Sequence, residues 1–314
     1  MAHYLVTGGA GFIGSNLSHA LVEKGEQVRI LDNFATGREE NIADLVEKKK
    51  VELIRGSIAD AEAAARAVKG VDYVLHQAAI PSVPRSIEDP LGGDDVNVHG
   101  TVTLLDAARK AGVKRVVFAA SSSAYGEKAP GEPKVETMQP APLSPYAAAK
   151  LAGEYYLQAF YHSYGLETVA LRYFNIFGPR QDPKSQYAAV IPNFVTAALH
   201  GRAATIYGDG QTSRDFCFIE NAIEANLLAC TAEGAAGQVF NIACGESTSL
   251  LETIEIIARI VGKKIPPIHE PARTGDIKFS LADIGKARRI LGYTGRIKFA
   301  EGLERTIAWY KQSL

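Results

Sequence analysis

Three cysteines, Cys217, Cys230 and Cys244, are all that this 314-residue chain contains, and no C-x-x-C pair is among them. So sparse and odd a set argues against a disulfide framework and for reduced, buried thiols in a cytoplasmic protein. Charge of one sign is missing too: 34 basic side chains face 35 acidic ones, a net charge of -1. No basic field marks the chain as a nucleic-acid binder. No apolar run approaches the roughly 20 residues of a membrane span. No His/Cys/Asp cluster has metal-ligand spacing, so no metal is expected. The N-terminus enters a strand pattern directly at residues 2–6, so no signal peptide is expected. Internal repeats, low-complexity tracts and Gly/Ser linkers are also absent, so the parts of the chain are expected to sit in close contact.

What the chain does contain is an ordinary globular composition, 46% hydrophobic and 22% charged, in enough residues for one large core or two interlocked ones. The first half alternates short β-branched runs with amphipathic stretches. Strand patterns fall at residues 4–6, 27–31, 51–55, 73–76, 116–119 and 168–172, and helical patterns at 13–24, 60–68 and 98–111. That alternation predicts right-handed βαβ units and a parallel sheet covered on both faces. The unbroken apolar run at residues 116–119 suits a strand buried on both sides. The expected fold is therefore α/β, a Rossmann-type doubly wound parallel sheet over residues 1–172.

Beyond Asn175 turn signals multiply at Gly178-Pro179, Asp182-Pro183 and Gly208-Asp209-Gly210. Helical patterns at 189–200, 219–231 and 249–261 are separated by loops, and only 204–207 and 239–243 read as strands. Residues 173–314 are expected to form mainly a smaller, mixed α/β substrate domain over the carboxyl edge of the sheet, where open α/β sheets bind ligands. A segment near 205–243 is expected to return to the first domain.

The first strand pattern runs into TGGAGFIG at residues 7–14. Gly8 allows a tight turn, Gly11 lets backbone approach a pyrophosphate, and Gly14 lets the following helix pack close to the sheet. The helix N-terminus supplies unpaired N–H groups and a partial positive charge. The spacing is G-x-x-G-x-x-G, and alone it is a weak signal. Its context strengthens it: a strand before, a helix after, and Asp32 eighteen residues past Gly14 at the end of the second strand. A carboxylate there accepts hydrogen bonds from both adenosine ribose hydroxyls and repels a 2′-phosphate, which favours NAD over NADP. Arg38 could host a 2′-phosphate, but Asp32 outweighs it.

Tyr146 and Lys150 form an i, i+4 pair on a helix that begins near Ser144-Pro145, so they share a face about 5–6 Å apart. Free tyrosine, with a pKa of about 10, is a poor base at neutral pH. A fixed ammonium, with the positive charge of an oxidised nicotinamide, stabilises tyrosinate and lowers that value. Lys150 can also hold the nicotinamide ribose. Ser121 follows the fifth strand, where its hydroxyl can reach the reacting oxygen. A Y-x-x-x-K pair occurs by chance on many helices. The serine run 25 residues earlier and the glycine turn at the N-terminus are what raise it to a catalytic reading.

These residues carry a resemblance. Over nearly its whole length the chain resembles the extended short-chain dehydrogenase/reductases, and within them the NAD-dependent nucleotide-sugar 4-epimerases. Supporting stretches are LDNFATG (31–37), HQAA (76–79), SSSAYG (121–126), LRYFNIFGPRQDP (171–183) and GDGQTSRDF (208–216). The runs SVPRSIEDP (82–90), YAAVIP (187–192) and DFCFIE (215–220) resemble above all bacterial UDP-N-acetylglucosamine 4-epimerases.

The resemblance implies that Tyr146 is the base, Lys150 tunes it and Ser121 aids proton transfer. Phe12 and Ile13 join Gly8, Gly11, Gly14 and Asp32 among the residues that hold NAD. Asn33, Phe34, Thr36 and Gly37 fall on the adenosine side, with Ile58, Ala78, Ala79 and Tyr173 nearer the adenine or the nicotinamide. Ser122 and Ser123 would touch the sugar, and Ala189 is among the substrate residues. Asn175 and Arg214 would grip the diphosphate, and Arg273 with Asp276 the UDP end. The family further implies a homodimer, with the helices at 98–111 and 145–164 pairing across a two-fold as a four-helix bundle. Three departures stand out: Ser57 where the family usually has Asp against the adenine, Pro81 for a small or basic residue, and Glu220 for the common Asp, a change the epimerase subgroup shares.

Related 4,6-dehydratases carry an acidic pair after the hydroxyl residue, and UDP-glucuronate decarboxylases a glutamate. Ser122-Ser123 can hydrogen-bond but cannot readily take a C5 proton, and epimerisation at C4 needs no such acid. Ser280 aligns with a position that is bulky in hexose-restricted members, so room is left for a 2-acetamido group. The expectation is UDP-GlcNAc/UDP-GalNAc interconversion with UDP-Glc/UDP-Gal also accepted. A UDP-glucuronate 4-epimerase, a net nucleotide-sugar oxidoreductase and a non-catalytic NAD(H)-sensing protein are the rivals.

Overall fold

Alternate residues of the first strand go to opposite sides: Tyr4 and Val6 pack into one apolar cluster and Leu5 into another. A strand buried on both faces is what a doubly covered parallel sheet requires. The computed structural model describes residues 1–127, 131–183, 189–271 and 277–313. Its large sheet has seven strands: β1 (His3–Thr7), β2 (Gln27–Asp32), β3 (Glu52–Arg55), β4 (Tyr73–His76), β5 (Arg115–Ser121), β6 (Glu167–Tyr173) and β7 (Gln238–Ile242). Their order is β7-β6-β5-β4-β1-β2-β3, and each neighbouring pair is parallel. Helices Phe12–Glu23, Ile219–Thr231 and Gly285–Leu291 cover one face, and Ala61–Val68, Gly100–Ala111 and Pro145–Tyr164 the other. This is the Rossmann-type doubly wound sheet that the alternation predicts. Because β1 pairs with both β2 and β4, the order reverses there, and a crevice opens at the carboxyl ends beyond Thr7 and His76.

The chain past residue 172 contributes β7 and helix Ile219–Thr231 to this body. The remainder builds a third apolar cluster from helices Val190–Leu199, Leu250–Val261 and Phe299–Ser313. Its centre is aromatic: Phe216 stacks on Phe299 at 4.8 Å, and Phe177 meets Phe299 edge-on at 5.3 Å. Short strands Ile176–Phe177 and Cys217–Phe218 pair in parallel beside it, as do Ala204–Tyr207 and Pro267–Glu270. The strand at Pro267–Glu270 has no expected counterpart because all four residues are exposed, so no apolar alternation marks it. Helices Val83–Glu88 and Pro90–Asp94 are likewise additions, too short to show a period. All three cysteines are buried and unbridged. Among the described residues no helix is long and apolar enough to cross a membrane.

Candidate active site

Gly8 closes the turn after β1 with φ +66°, and a Cβ there would stand 2.7 Å from Ala78 Cα. A Cβ on Gly14 would lie 2.1 Å from Gly8 O, so only glycine lets the helix Phe12–Glu23 start this close to the strand. Gly11 is its N-cap and offers no side chain to the first turn. The first backbone N–H groups of the helix, at Phe12 and Ile13, therefore face the crevice with the positive end of the helix dipole. Asp32 closes the other side. One carboxylate oxygen accepts from Ala10 N at 2.8 Å and the other from Phe34 N at 2.7 Å. Gly37 packs against the same carboxylate, and Phe34, held at φ 58°, carries the Arg55 guanidinium 4.6 Å above its ring. Asn33 and Thr36 are exposed beside it. Such a cradle, with bare N–H groups at one end and a carboxylate with lone pairs to spare at the other, fits a dinucleotide whose 2′-hydroxyl is free.

Ile58 is buried against Gly100, and Ala78 and Ala79 line the way past β4 half-buried. The Tyr173 phenol is committed elsewhere: it donates to Gln77 Oε1 at 3.2 Å and accepts from Asn226 Nδ2 at 2.6 Å. At Ser57 the hydroxyl accepts from Ala59 N, and Pro81 is exposed. Glu220 lies outside the crevice in an ion pair with Arg305 at 2.7 Å.

Helix Pro145–Tyr164 begins where Ser144 Oγ accepts from Ala147 N at 3.2 Å, and Pro145 fills the position that needs no N–H. That start puts Tyr146 in the crevice. Its phenol hydrogen-bonds Ser121, the last residue of β5. Ser121 Oγ accepts from Ser123 N at 3.2 Å and from the Ser123 hydroxyl at 2.8 Å. With both accepting positions filled, the one Ser121 proton points to Tyr146, completing a relay Ser123–Ser121–Tyr146. Burial raises the Tyr146 pKa, and the Ser121 bond offsets only part of the rise. The expected lowering, by the ammonium together with the charge of an oxidised nicotinamide, is thus not provided by the protein without that cofactor.

Lys150, buried one turn on, donates to Ala119 O at 2.9 Å and lies 4.7 Å from the Phe118 ring centroid. Burial depresses its pKa to about 7. Two of its three N–H donors remain available to hydroxyls brought into the crevice.

Sequence reading missed the supports of this pair. His76 ends β4 with Nδ1 2.8 Å from Thr7 Oγ1 and Nε2 3.1 Å from Thr101 Oγ1. Burial first, and the Lys150 charge second, push it down to about 3, so it stays neutral. Glu154 continues the Tyr146–Lys150 face by one more turn and takes a bidentate pair from Arg172 at 2.9 and 2.7 Å, locking the helix to β6. The spacing i, i+4, i+8 was the available signal.

Three of the substrate candidates, Asn175, Ala189 and Arg214, line a cavity of about 300 Å³ together with Phe194, Tyr207 and Phe216 among others. Asn175, at φ 37°, donates through Nδ2 to Asp215 O at 3.1 Å and to Ser280 Oγ at 3.3 Å. Ser280 is buried directly behind it. Ser122 and Ser123 sit half-buried beside Ser121. Arg273 and Asp276, like Tyr187 and Ala188, lie outside the described residues.

A glycine-turn crevice, a ribose-side carboxylate and a Tyr/Lys pair with a serine relay define a dinucleotide-dependent enzyme of the extended short-chain dehydrogenase/reductase type. The chain belongs to the NAD dependent epimerase/dehydratase family, whose profile matches residues 4–243. It is 39% identical over 308 residues to a UDP-glucose 4-epimerase of Mycolicibacterium smegmatis, covering 98% of each chain. Among solved structures it is similar to a UDP-N-acetylglucosamine 4-epimerase from Methanobrevibacter ruminantium M1 in complex with UDP-N-acetylmuramic acid. That match has a TM-score of 0.92 and 39% identity, over 100% of this chain and 99% of the other. It is also similar to the Thermus thermophilus UDP-glucose 4-epimerase complex with NAD, with a TM-score of 0.91 and 37% identity over 99% and 100% of the two chains.

Proposed function

We propose that this protein is an NAD-dependent UDP-sugar 4-epimerase that interconverts UDP-GlcNAc and UDP-GalNAc, and also UDP-Glc and UDP-Gal. The observation that carries the proposal is the Ser123–Ser121–Tyr146 relay opening into the same crevice as the glycine turn, with no carboxylate in the serine run. Near-complete coverage by relatives and solved structures named as 4-epimerases supports the reaction class.

NAD, when bound, supplies a hydride acceptor and donor at the sugar's C4. Tyr146 takes the C4 hydroxyl proton and later returns it, and Ser121 holds the reacting oxygen in line with the phenol. Lys150 places an ammonium one helical turn from the phenol and would hold the nicotinamide ribose hydroxyls when NAD is bound. His76, neutral and doubly bonded, adds no competing charge beside it. Inversion requires the 4-keto sugar to turn over, so the anchors must serve the nucleotide while the sugar is held loosely. Arg214, at the 300 Å³ cavity, is suited to a diphosphate, while both amide N–H groups of Asn175 are engaged by Asp215 O and Ser280 Oγ. The small side chain at Ser280 supports acceptance of a 2-acetamido group.

Incubation with UDP-GlcNAc, UDP-Glc and UDP-glucuronate, followed by chromatography of the products, tests the reading. C4 epimers of the first two, without net change in nicotinamide absorbance, are expected. Turnover of UDP-glucuronate alone, or stoichiometric consumption of NAD, would replace it.

A further inference from the structure

Asp215 is fully buried, and its hydrogen-bond partners on the carboxylate among the described residues are all backbone N–H groups. One oxygen accepts from Cys244 at 2.9 Å. The other accepts from Gly245 at 3.0 Å and from Ala282 at 3.2 Å. Two chain segments, the turn after β7 and the run 280–282, thus converge on one side chain. The residue before it, Arg214, lines the cavity, and the Asp215 carbonyl holds Asn175.

We propose that Asp215 is a positioning residue for the nucleotide-sugar site: its carboxylate clamps the wall carrying Ser280 against the strand carrying Arg214. This deepens the reading of the site as a UDP-sugar pocket and rests on it. The geometry around the clamp is consistent in detail. Ser280 N donates to Ser213 O at 3.2 Å, and Ser213 N to Lys278 O at 3.0 Å, so the wall runs beside the Ser213–Arg214 strand. Arg214 Nη1 donates to Ser213 O at 3.0 Å and Lys278 O at 3.1 Å, which fixes the guanidinium across the same two segments. Ser247 spans them from outside, its hydroxyl 2.9 Å from Ser213 Oγ and 3.1 Å from Ser280 O. Burial pushes Asp215 up to about 7 although three N–H groups pull it down. A buried carboxylate held only by amides is a costly residue to keep for packing alone.

Asp215→Asn keeps the volume but turns one acceptor into a donor that faces an N–H. Tyr146, Ser121 and the glycine turn are untouched by it. The expected result is an increase in KM for the UDP-sugar, and in the Kd for UDP by calorimetry, of about ten- to a hundredfold, with kcat within about threefold and NAD affinity unchanged. A well-folded variant with unaltered KM and UDP affinity overturns the inference, and so does a fall in kcat at constant KM. Should Asp215→Asn fail to fold, Ser247→Ala decides. It removes an exposed bridge of the same wall, so a KM raised about two- to fivefold supports the clamp and an unchanged KM overturns it. Wild-type protein that binds no UDP would sink the functional reading itself, a result distinct from wild type and variant binding UDP equally.

Discussion

The backbone N–H of Tyr146 donates to Ser86 Oγ at 3.1 Å, across 60 residues of sequence. Ser86 is buried and its own hydroxyl donates to Val83 O at 2.7 Å, so it has no freedom to follow the tyrosine elsewhere. The first turn of a helix has N–H groups with no partner inside the helix, and here one of them ties Tyr146, the proposed base, to helix Val83–Glu88. Ser86→Ala is expected to lower kcat about three- to thirtyfold with little change in KM, at a stability cost of about 1 kcal/mol. Steady-state kinetics with a melting curve checks both parts. A raised KM with normal kcat would mean that Ser86 serves the substrate rather than the tyrosine.

Lys150 costs the fold stability in return for its place at the site. Its folded pKa of about 7 lies below the usual lysine value, so between about pH 7 and 10 the unfolded chain binds more protons than the folded one. Its contribution to stability therefore improves as pH rises through that window, and the penalty is full below pH 7. Lys150→Met is expected to be inactive yet to melt higher than wild type at pH 6–7, with the gap closing toward pH 10. Calorimetric scans across that range test the sign. A gap that widens with pH would contradict the burial of a charged ammonium.

Arg38 is engaged by two carboxylates, Asp182 at 3.1 Å and Glu40. Asn16 meanwhile donates to Pro179 O at 3.0 Å and accepts from Arg180 at 2.9 Å. The loop at 179–182 is thereby strapped over the first helix and onto the loop beside Asp32. Arg38→Ala is expected to speed NAD release about two- to fivefold without giving NADP preference, since the pair is partly exposed and worth little by itself. Dialysis of loaded protein, followed by assay of retained nucleotide, measures it. Raised salt should reproduce part of the effect in wild type.

The sheet, its helices and the placing of Tyr146 and Lys150 one turn apart on one helix were legible because their signals are local. A 3.6-residue period, a glycine turn and an i, i+4 spacing all lie within one element. Asp32 was legible for the same reason, at a fixed offset on the next strand. What escaped were groups whose partners are far along the chain: Ser86 under Tyr146, His76 between Thr7 and Thr101, Asp215 beneath Ala282. No window of sequence contains both ends of such contacts. The state of Tyr146 escaped for another reason. Spacing shows which charge is near a phenol, but not how much water the fold removes from it, and here desolvation is the larger effect.

Helix Pro145–Tyr164 exposes the adjacent Tyr155 and Tyr156, while Tyr164, at its C-terminal end, lies under the Arg109 guanidinium of helix Gly100–Ala111. Two neighbouring exposed tyrosines make a partly apolar patch on this helix that a second copy could cover. We propose that this face, with helix Gly100–Ala111 beside it, pairs with a second copy about a two-fold axis. Tyr156→Glu is expected to shift the protein from dimer to monomer in sedimentation velocity. A monomeric wild type at micromolar concentration would remove the proposal.

We propose that Ser280 bears on which sugars are accepted. Its Oγ takes a hydrogen bond from Asn175 Nδ2 at 3.3 Å, and Asn175 lines the cavity, so Ser280 backs that part of its wall. Ser280 is buried with its hydroxyl on Asn175, so a larger side chain there presses on Asn175, which lines the cavity. Ser280→Tyr is therefore expected to abolish turnover of UDP-GlcNAc while UDP-Glc turnover falls by no more than about tenfold. The comparison must be made on kcat/KM for both sugars, because a damaged nucleotide pocket lowers the two together. Equal loss would place Ser280 in the support of the UDP site, and loss confined to the acetamido sugar would make it the residue that admits it.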